Sequence, residues 1–422
     1  MVFHLRRIVL PLMVAVAVLV LTAGCRPTYP KEDIIGIIGR EVQKDWGITP
    51  DRILIKDDYL GLIYREDTLW NTEGKLRPEV GLNVANIERT VERVLVSSDA
   101  GVTTFSVTVA GADSANNLRF ERSLDMIRQK RAGEISWQDT FDADNNTAVP
   151  CWTWEPFGEP YYYFENSSPG DLSAYLQNQI QSKYRLKSKV RIEDGTLAVL
   201  FRLPRLWEGN ELLPESEQLE YSVLAVASTA VLKSDLPIGQ VSVTMGGNDS
   251  QENLTIVDAL ETVRSQVTGA IDMEAHKAAL IRSRSPFWLW HTYGPAGWYT
   301  TGELQARILE AFGRTLKWKP DIGQTGDSLS LSLRTVSDDP AVLLTGETLH
   351  NFASALLSVY DAILLSDTDT RSLSVSFTSN GTAQSIYFCT STDVMKEQKT
   401  AGMTADSLAE HIERDLSATC TL

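Results

Sequence analysis

The spacing of apolar residues from position 34 onward predicts a series of helices that each bury one face. Ile34, Ile38 and Val42 recur at i, i+4 and i+8, as do Leu172, Leu176 and Ile180, and then Leu304, Ile308 and Phe312. Asp33, Asp171 and Glu303 precede these stripes, where a carboxylate suits the positive end of a helix. A second set follows at i, i+4, i+7 and i+8: Ile87, Val91, Val94 and Leu95; Val223, Ala227, Ala230 and Val231; Ala355, Val359, Ala362 and Ile363. Both spacings are those of a helix with one face toward a core.

Strand-like runs separate the helices. Residues 52–56 and 60–65 flank Asp57-Asp58, and residues 189–193 and 196–201 flank Asp194-Gly195, a tight-turn dipeptide. Leu329, Leu331 and Leu333 alternate strictly with serines. Residues 105–111 align without a gap to residues 241–247, and residues 373–377 align to the same run; Asn117-Leu118 matches Asn253-Leu254 at the first offset. Three matches in register predict an α+β chain of three tandem repeated domains. Each would run helix, hairpin, helix, hairpin, with an antiparallel sheet covered by helices on one face. The spacing is too long for a common solenoid repeat, so domains are expected at residues 33–150, 171–284 and 302–422. Residues 190–199 resemble the GerM-type modules of envelope and spore proteins, which implies the same layered order of hairpin, helix and strand.

Aromatic joints at residues 151–170 and 285–301 connect these domains. Trp152 and Trp154 in the first joint correspond to Trp288 and Trp290 in the second, with Tyr161 to Phe164 and then Trp298-Tyr299 following. Five of the ten tryptophans fall here, so these are not floppy linkers. Trp152, Trp154, Trp288, Trp290 and Trp298 are the candidate ligand or interface residues. Either they stack on sugar rings of a glycan, or they pack under the neighbouring domain and fix its angle; their restriction to junctions favours packing.

The N-terminus has its own pattern. His4, Arg6 and Arg7 form a basic start, and an almost wholly apolar run from Ile8 to Leu21 follows, the layout of an export signal. Leu21-Thr22-Ala23-Gly24-Cys25 resembles the lipobox of bacterial lipoproteins. That resemblance implies removal of residues 1–24, a diacylglycerol thioether on Cys25 and acylation, commonly by palmitate, of the new N-terminus. Several acyl chains give lasting anchorage where one is marginal. Residues 25–32 would form a lipidated tether, holding the protein on the outer side of a cell membrane or an outer membrane.

Composition narrows the partners. The formal charge is −16, and cleavage would remove Arg6 and Arg7, making it more negative. A chain this acidic is repelled by nucleic acid, so the expected partners are the lipid bilayer and envelope proteins, with a glycan as the alternative. Cys151, Cys389 and Cys420 remain beside Cys25. An odd number leaves at least one unpaired within the chain, and Cys389 and Cys420, in the same terminal unit, are the candidate disulfide.

Catalytic motifs do not stand out. The histidines expected in the mature chain, His276, His291, His350 and His411, form no HExxH pair, and the sequence contains no GxSxG, SxxK or glycine-rich phosphate loop. Residues 142–146 begin like a calcium loop but place Thr147 where the turn glycine belongs. The expectation is a non-catalytic scaffold or protein-interaction module without metal or cofactor. Glycan or small-solute binding through the tryptophans is the second reading, and an envelope hydrolase the third.

Overall fold

The computed structural model describes residues 29–135, 145–209, 211–248, 250–290, 293–335, 344–379 and 385–415. After a 3-10 turn at Lys31–Asp33, helix α1 (Ile34–Trp46) leads into the hairpin β1 (Arg52–Lys56) and β2 (Tyr59–Glu66). Helix α2 (Pro78–Val96), a second hairpin β3 (Thr104–Gly111) and β4 (Asn116–Ser123), helix α3 (Leu124–Ala132) and strand β5 (Asn145–Pro150) follow. A small hairpin, β6 (Thr153–Trp154) and β7 (Glu159–Pro160), comes next.

The order then recurs. Helix α4 (Pro169–Tyr184), hairpin β8 (Ser188–Glu193) and β9 (Thr196–Leu203), and the short β10 (Trp207–Glu208) and β11 (Glu211–Leu212) precede helix α5 (Pro214–Leu232). After these come β12 (Gln240–Gly247), β13 (Glu252–Ala259), α6 (Leu260–Val267), α7 (Met273–Ala279) and β14 (Ile281–Pro286). The last stretch contains α8 (Thr301–Thr315), β15 (Asp321–Thr325), β16 (Ser328–Thr335), α9 (Gly346–Leu364), β17 (Ser372–Ser379), β18 (Ser385–Ser391), α10 (Thr392–Thr400) and α11 (Ala405–Asp415). The fold is mixed α+β, with antiparallel-rich sheets.

Three large sheets have the orders β1-β2-β3-β4-β5, β8-β9-β12-β13-β14 and β15-β16-β17-β18. They are not antiparallel throughout. At the centre of each, β2 runs parallel to β3, β9 to β12, and β16 to β17. A long helix between the two hairpins returns the chain to the end where it began, so the strands it joins run the same way. Strands β5 and β14 are additions that hydrophobic alternation does not reveal. Ile281-Arg282-Ser283-Arg284 has no apolar alternation, and half of β14 is exposed at the sheet edge.

By internal contacts the chain forms two compact units. The first comprises the chain up to Ser168 with residues 228–237 and 263–273; the second comprises residues 169–227, 238–262 and 274–422. In the first, the α1 stripe of Ile34, Ile38 and Val42 and the α2 stripe of Ile87, Val91, Val94 and Leu95 share one core with Leu60, Leu62 and Tyr64 of β2 and Phe105, Val107 and Val109 of β3. In the second, Leu304, Ile308 and Phe312 of α8 and Ala355, Val359, Ala362 and Ile363 of α9 enclose Leu329, Leu331 and Leu333 of β16 and Leu373, Val375 and Phe377 of β17. Thr300 and Glu303 form a reciprocal capping box at the start of α8, which satisfies amides the helix itself leaves open.

Tyr29, placed by the sequence in the tether, is already fixed: its amide donates to the Ser97 carbonyl at 3.0 Å, just beyond α2. Phe164 donates likewise to Lys233 at 2.9 Å, and Tyr299 to Leu365 at 3.0 Å.

One core position is occupied by a carboxylate. Helices α2, α5 and α9 each have 19 residues, and their seventh residues are Val84, Glu220 and Phe352, all buried. Neither Glu220 carboxyl oxygen has a hydrogen-bond partner among the described residues, and Arg282 lies 3.9 Å away while pairing with Glu217 at 3.1 Å. Burial pushes Glu220 up to about 7, against the pull of Arg282. Because the folded state retains the proton between pH 4.5 and 7 and the unfolded state does not, stability falls as pH rises through that window. Chemical denaturation should show Glu220→Leu gaining about 2 kcal/mol on wild type between pH 5 and 7. A constant difference across that range would contradict the assignment.

Candidate functional site

Within the first unit, β6 and β7 fold the first joint into a tight hairpin, with Thr153 opposite Pro160 and Trp154 opposite Glu159. The amides of Phe157 and Gly158 donate to the Trp154 carbonyl at 3.0 and 3.1 Å, and Gly158 adopts φ 69°, which turns the chain back. Alternation along β2 positions this hairpin. Leu60, Leu62 and Tyr64 face the helices, whereas Ile63 joins Trp154, Phe157, Tyr161 and Ala110 in a separate cluster. Trp154 and Phe157 meet edge-on at 4.8 Å between centroids, and Tyr59 meets Phe157 at 5.9 Å. Gly61 makes room: a Cβ there would run into the Phe157 ring.

The second joint, in the second unit, closes through Trp290 N–H donating to the Gly294 carbonyl at 2.7 Å and Ala296 N–H to the Trp288 carbonyl at 2.8 Å. Asn253 holds it from below, its Nδ2 donating to the carbonyls of Phe287 at 3.0 Å and Leu289 at 2.7 Å. Trp288, Trp290 and Trp298 belong to one core with Ala198 and Leu200 of β9. The Arg191 guanidinium lies 5.1 Å from the Trp290 ring centre, and the Lys187 ammonium 5.2 Å from that of Trp298. Lys187 also pairs with Glu303, which pulls that carboxyl down to about 2.

Trp154 and Trp290 are exposed by only 1% and 2%, and Trp288 and Trp298 are buried too. Sugar stacking needs an open ring face, and these four rings offer none. Trp152 is half-buried, with Arg264 5.9 Å from its ring centre. The candidates therefore do not converge on one surface. Cys389 lies on β18 and is disulfide-bonded, and Cys420 is outside the described residues, as is Cys25. Residues 142–144 of the calcium-like segment are also outside, while Asn145 and Asn146 begin β5. Among the described residues no three histidine, cysteine or acidic side chains gather as a metal site, and no helix is long and apolar enough to cross a membrane. His276 bonds Asp258 at 2.9 Å, and His350 bonds Asp406 at 2.7 Å.

Cations were the less legible part of these joints. Gly111 and Gly247 end β3 and β12, and each carbonyl accepts from a buried cation: Lys233 at Gly111, and Arg202 at Gly247. The three strands β2, β9 and β16 carry arginine at the penultimate place, Arg65, Arg202 and Arg334, a recurrence visible in the sequence once the strands are aligned. Lys233 gives no such signal, because Ser97 and Leu365 stand at the equivalent helix ends. Beside it the Cys151 thiol is buried and free, and burial pushes it up to about 12. Compared with protein-family models and with curated proteins, the chain matches none.

Two measurements check this geometry. Gly61→Ala should lower stability by about 1–3 kcal/mol, because the extra methyl overpacks against Phe157; combining it with Phe157→Leu should recover much of the loss. Burial also pushes Lys233 down to about 8, so above that pH the folded state sheds a proton that the unfolded state keeps. The burial cost thus applies in full below pH 8 and is relieved as pH rises. Relative to Lys233→Met, wild type should gain about 1 kcal/mol between pH 7 and 9 in denaturant titrations; a flat difference would place the ammonium in water.

Proposed function

We propose that the chain is a lipid-anchored, extracytoplasmic envelope lipoprotein, non-catalytic, made of three tandem copies of one α+β unit that serve as a scaffold for envelope protein partners. The observation that carries this reading is the threefold recurrence of one strand program. Each copy pairs a hairpin with a second hairpin through a parallel centre, crossed by a helix of 19 residues. The three amides that tie the start of each copy to its long helix, those of Tyr29, Phe164 and Tyr299, support the same division. Burial of the joint tryptophans supports a packing role within their units over a role in sugar stacking.

The lipobox-like Leu21 to Cys25 supports the anchor. Since Tyr29 is held by the first copy, only the four residues from Cys25 to Thr28 separate the lipid from it, and at roughly 3.3–3.6 Å per residue they reach at most about 15 Å. Partners would then be engaged close to the bilayer surface.

Cys25→Ala should abolish lipidation and either block processing or release the protein from membranes in fractionation. Retention in the detergent phase with a normal mature mass would overturn the anchor. Crosslinking in cells tests the scaffold role, for which capture of the same envelope proteins by wild type and not by the released variant is expected.

A further inference from the structure

A cavity of about 260 Å³ in the second unit is lined by Arg202, Arg307 and Arg314, with Tyr299, Glu310 and Asp361 among the other walls. Its size is below the range of about 300–1,000 Å³ usual for drug-sized ligands, so it suits something small. Three arginines lining one cavity in so acidic a chain require explanation.

Arg202 is the informative one. Its counterpart Arg65, partly exposed, is neutralised by Asp51 at 2.8 Å and also bonds the Tyr161 hydroxyl at 3.2 Å. At the corresponding places around Arg202 stand Ser188, the first residue of β8, and Gly297, seven residues beyond Trp290 as Tyr161 is beyond Trp154. The more deeply buried arginine is thus the one with no ion pair to a carboxylate and no hydrogen bond to a phenol among the described residues; Asp361 and Tyr299 act on it only through space. It donates from Nη1 to the Phe287 carbonyl at 3.4 Å and from Nη2 to the Gly247 carbonyl, and its Nε has no acceptor among the described residues. Two neutral carbonyls do not balance a buried cation.

The acids in the cavity wall are already engaged. Glu310 pairs with Arg307 at 2.9 Å, and Asp361 with Lys399 at 2.7 Å. Arg307 is further held over the Tyr299 ring, 5.4 Å from its centre. Arg314, two turns along α8 from Arg307, has no ion pair among the described residues. We propose that this cavity is a binding site for a small oxyanion, a phosphate or a short dicarboxylate, whose anionic group pairs directly with Arg202, with Arg307 and Arg314 at the rim. Guanidinium forks match such groups bidentately. The inference does not depend on the membrane anchor or on the scaffold role.

Calorimetric titration of the full chain, in a chloride buffer at fixed ionic strength, tests it with inorganic phosphate in one arm and succinate in the other. Saturable binding of either is expected, weakened at least tenfold in Arg202→Gln and in Arg314→Gln; the arm that saturates identifies the anion. Arg314 is exposed, so Arg314→Gln should keep the wild-type circular dichroism and carries the test even if Arg202→Gln misfolds. No saturable heat in either arm, or equal affinity in wild type and Arg314→Gln, would overturn the proposal.

Discussion

The constraint on which the structure depends is the parallel pairing at the centre of each large sheet. A hairpin alone is antiparallel and could end there. Here a long helix crosses from one hairpin to the next, and Leu60 meets Phe105, Leu197 meets Val241, and Leu329 meets Leu373 in parallel register. That register sends Leu60, Leu62 and Tyr64 of β2 to the helix-covered face and Gly61, Ile63 and Arg65 to the other. A one-residue slip would exchange the two faces. The small hairpin of the first joint, with its aromatic rings, covers the face the helices leave open, so the joint is part of the sheet's packing and not a connection laid over it.

Cations complete the arrangement at the strand ends. The carbonyls of Gly111 and Gly247 terminate equivalent strands, yet one is met by a lysine just beyond the end of α5 and the other by an arginine from the neighbouring strand. Equal topology with unequal chemistry is informative. The frame accepts different solutions for the same orphan carbonyl, and the second leaves a guanidinium at a cavity with no ion pair to a carboxylate among the described residues. Glu220, in a core place corresponding to those of Val84 and Phe352 on their helices, departs from the frame as well.

Much of the frame was legible in residue spacing. The stripes beginning at Ile34, Leu172 and Leu304 became the first helix of each series, and residues 52–56 coincide with β1. Period and turn chemistry suffice for elements that bury one face. Strand direction was not legible, because alternation shows which face a side chain takes and not which way the strand runs. Edge strands β5 and β14 were missed since their sequences, Asn145-Asn146-Thr147-Ala148-Val149-Pro150 and Ile281 to Pro286, need no apolar face at a solvated edge. Among candidate side chains, the tryptophans were legible as a pair of joints. Their burial was not, because an indole that stacks on sugar and one that fills a core look the same in sequence. Arg202 and Lys233 escaped notice as ordinary charges, their meaning arising only from which carbonyls they meet.

The central claim is that each joint is a fixed structural element seated within its unit. Native-state hydrogen exchange tests it most directly, through the amides of Phe157 and Gly158 in one joint and Trp290 and Ala296 in the other, which donate to carbonyls at 2.7–3.1 Å. Protection close to that of the parallel strands β3 and β12 is the result this account predicts. Exchange of these four amides at the rate of open loops, while the strands stay protected, would contradict it.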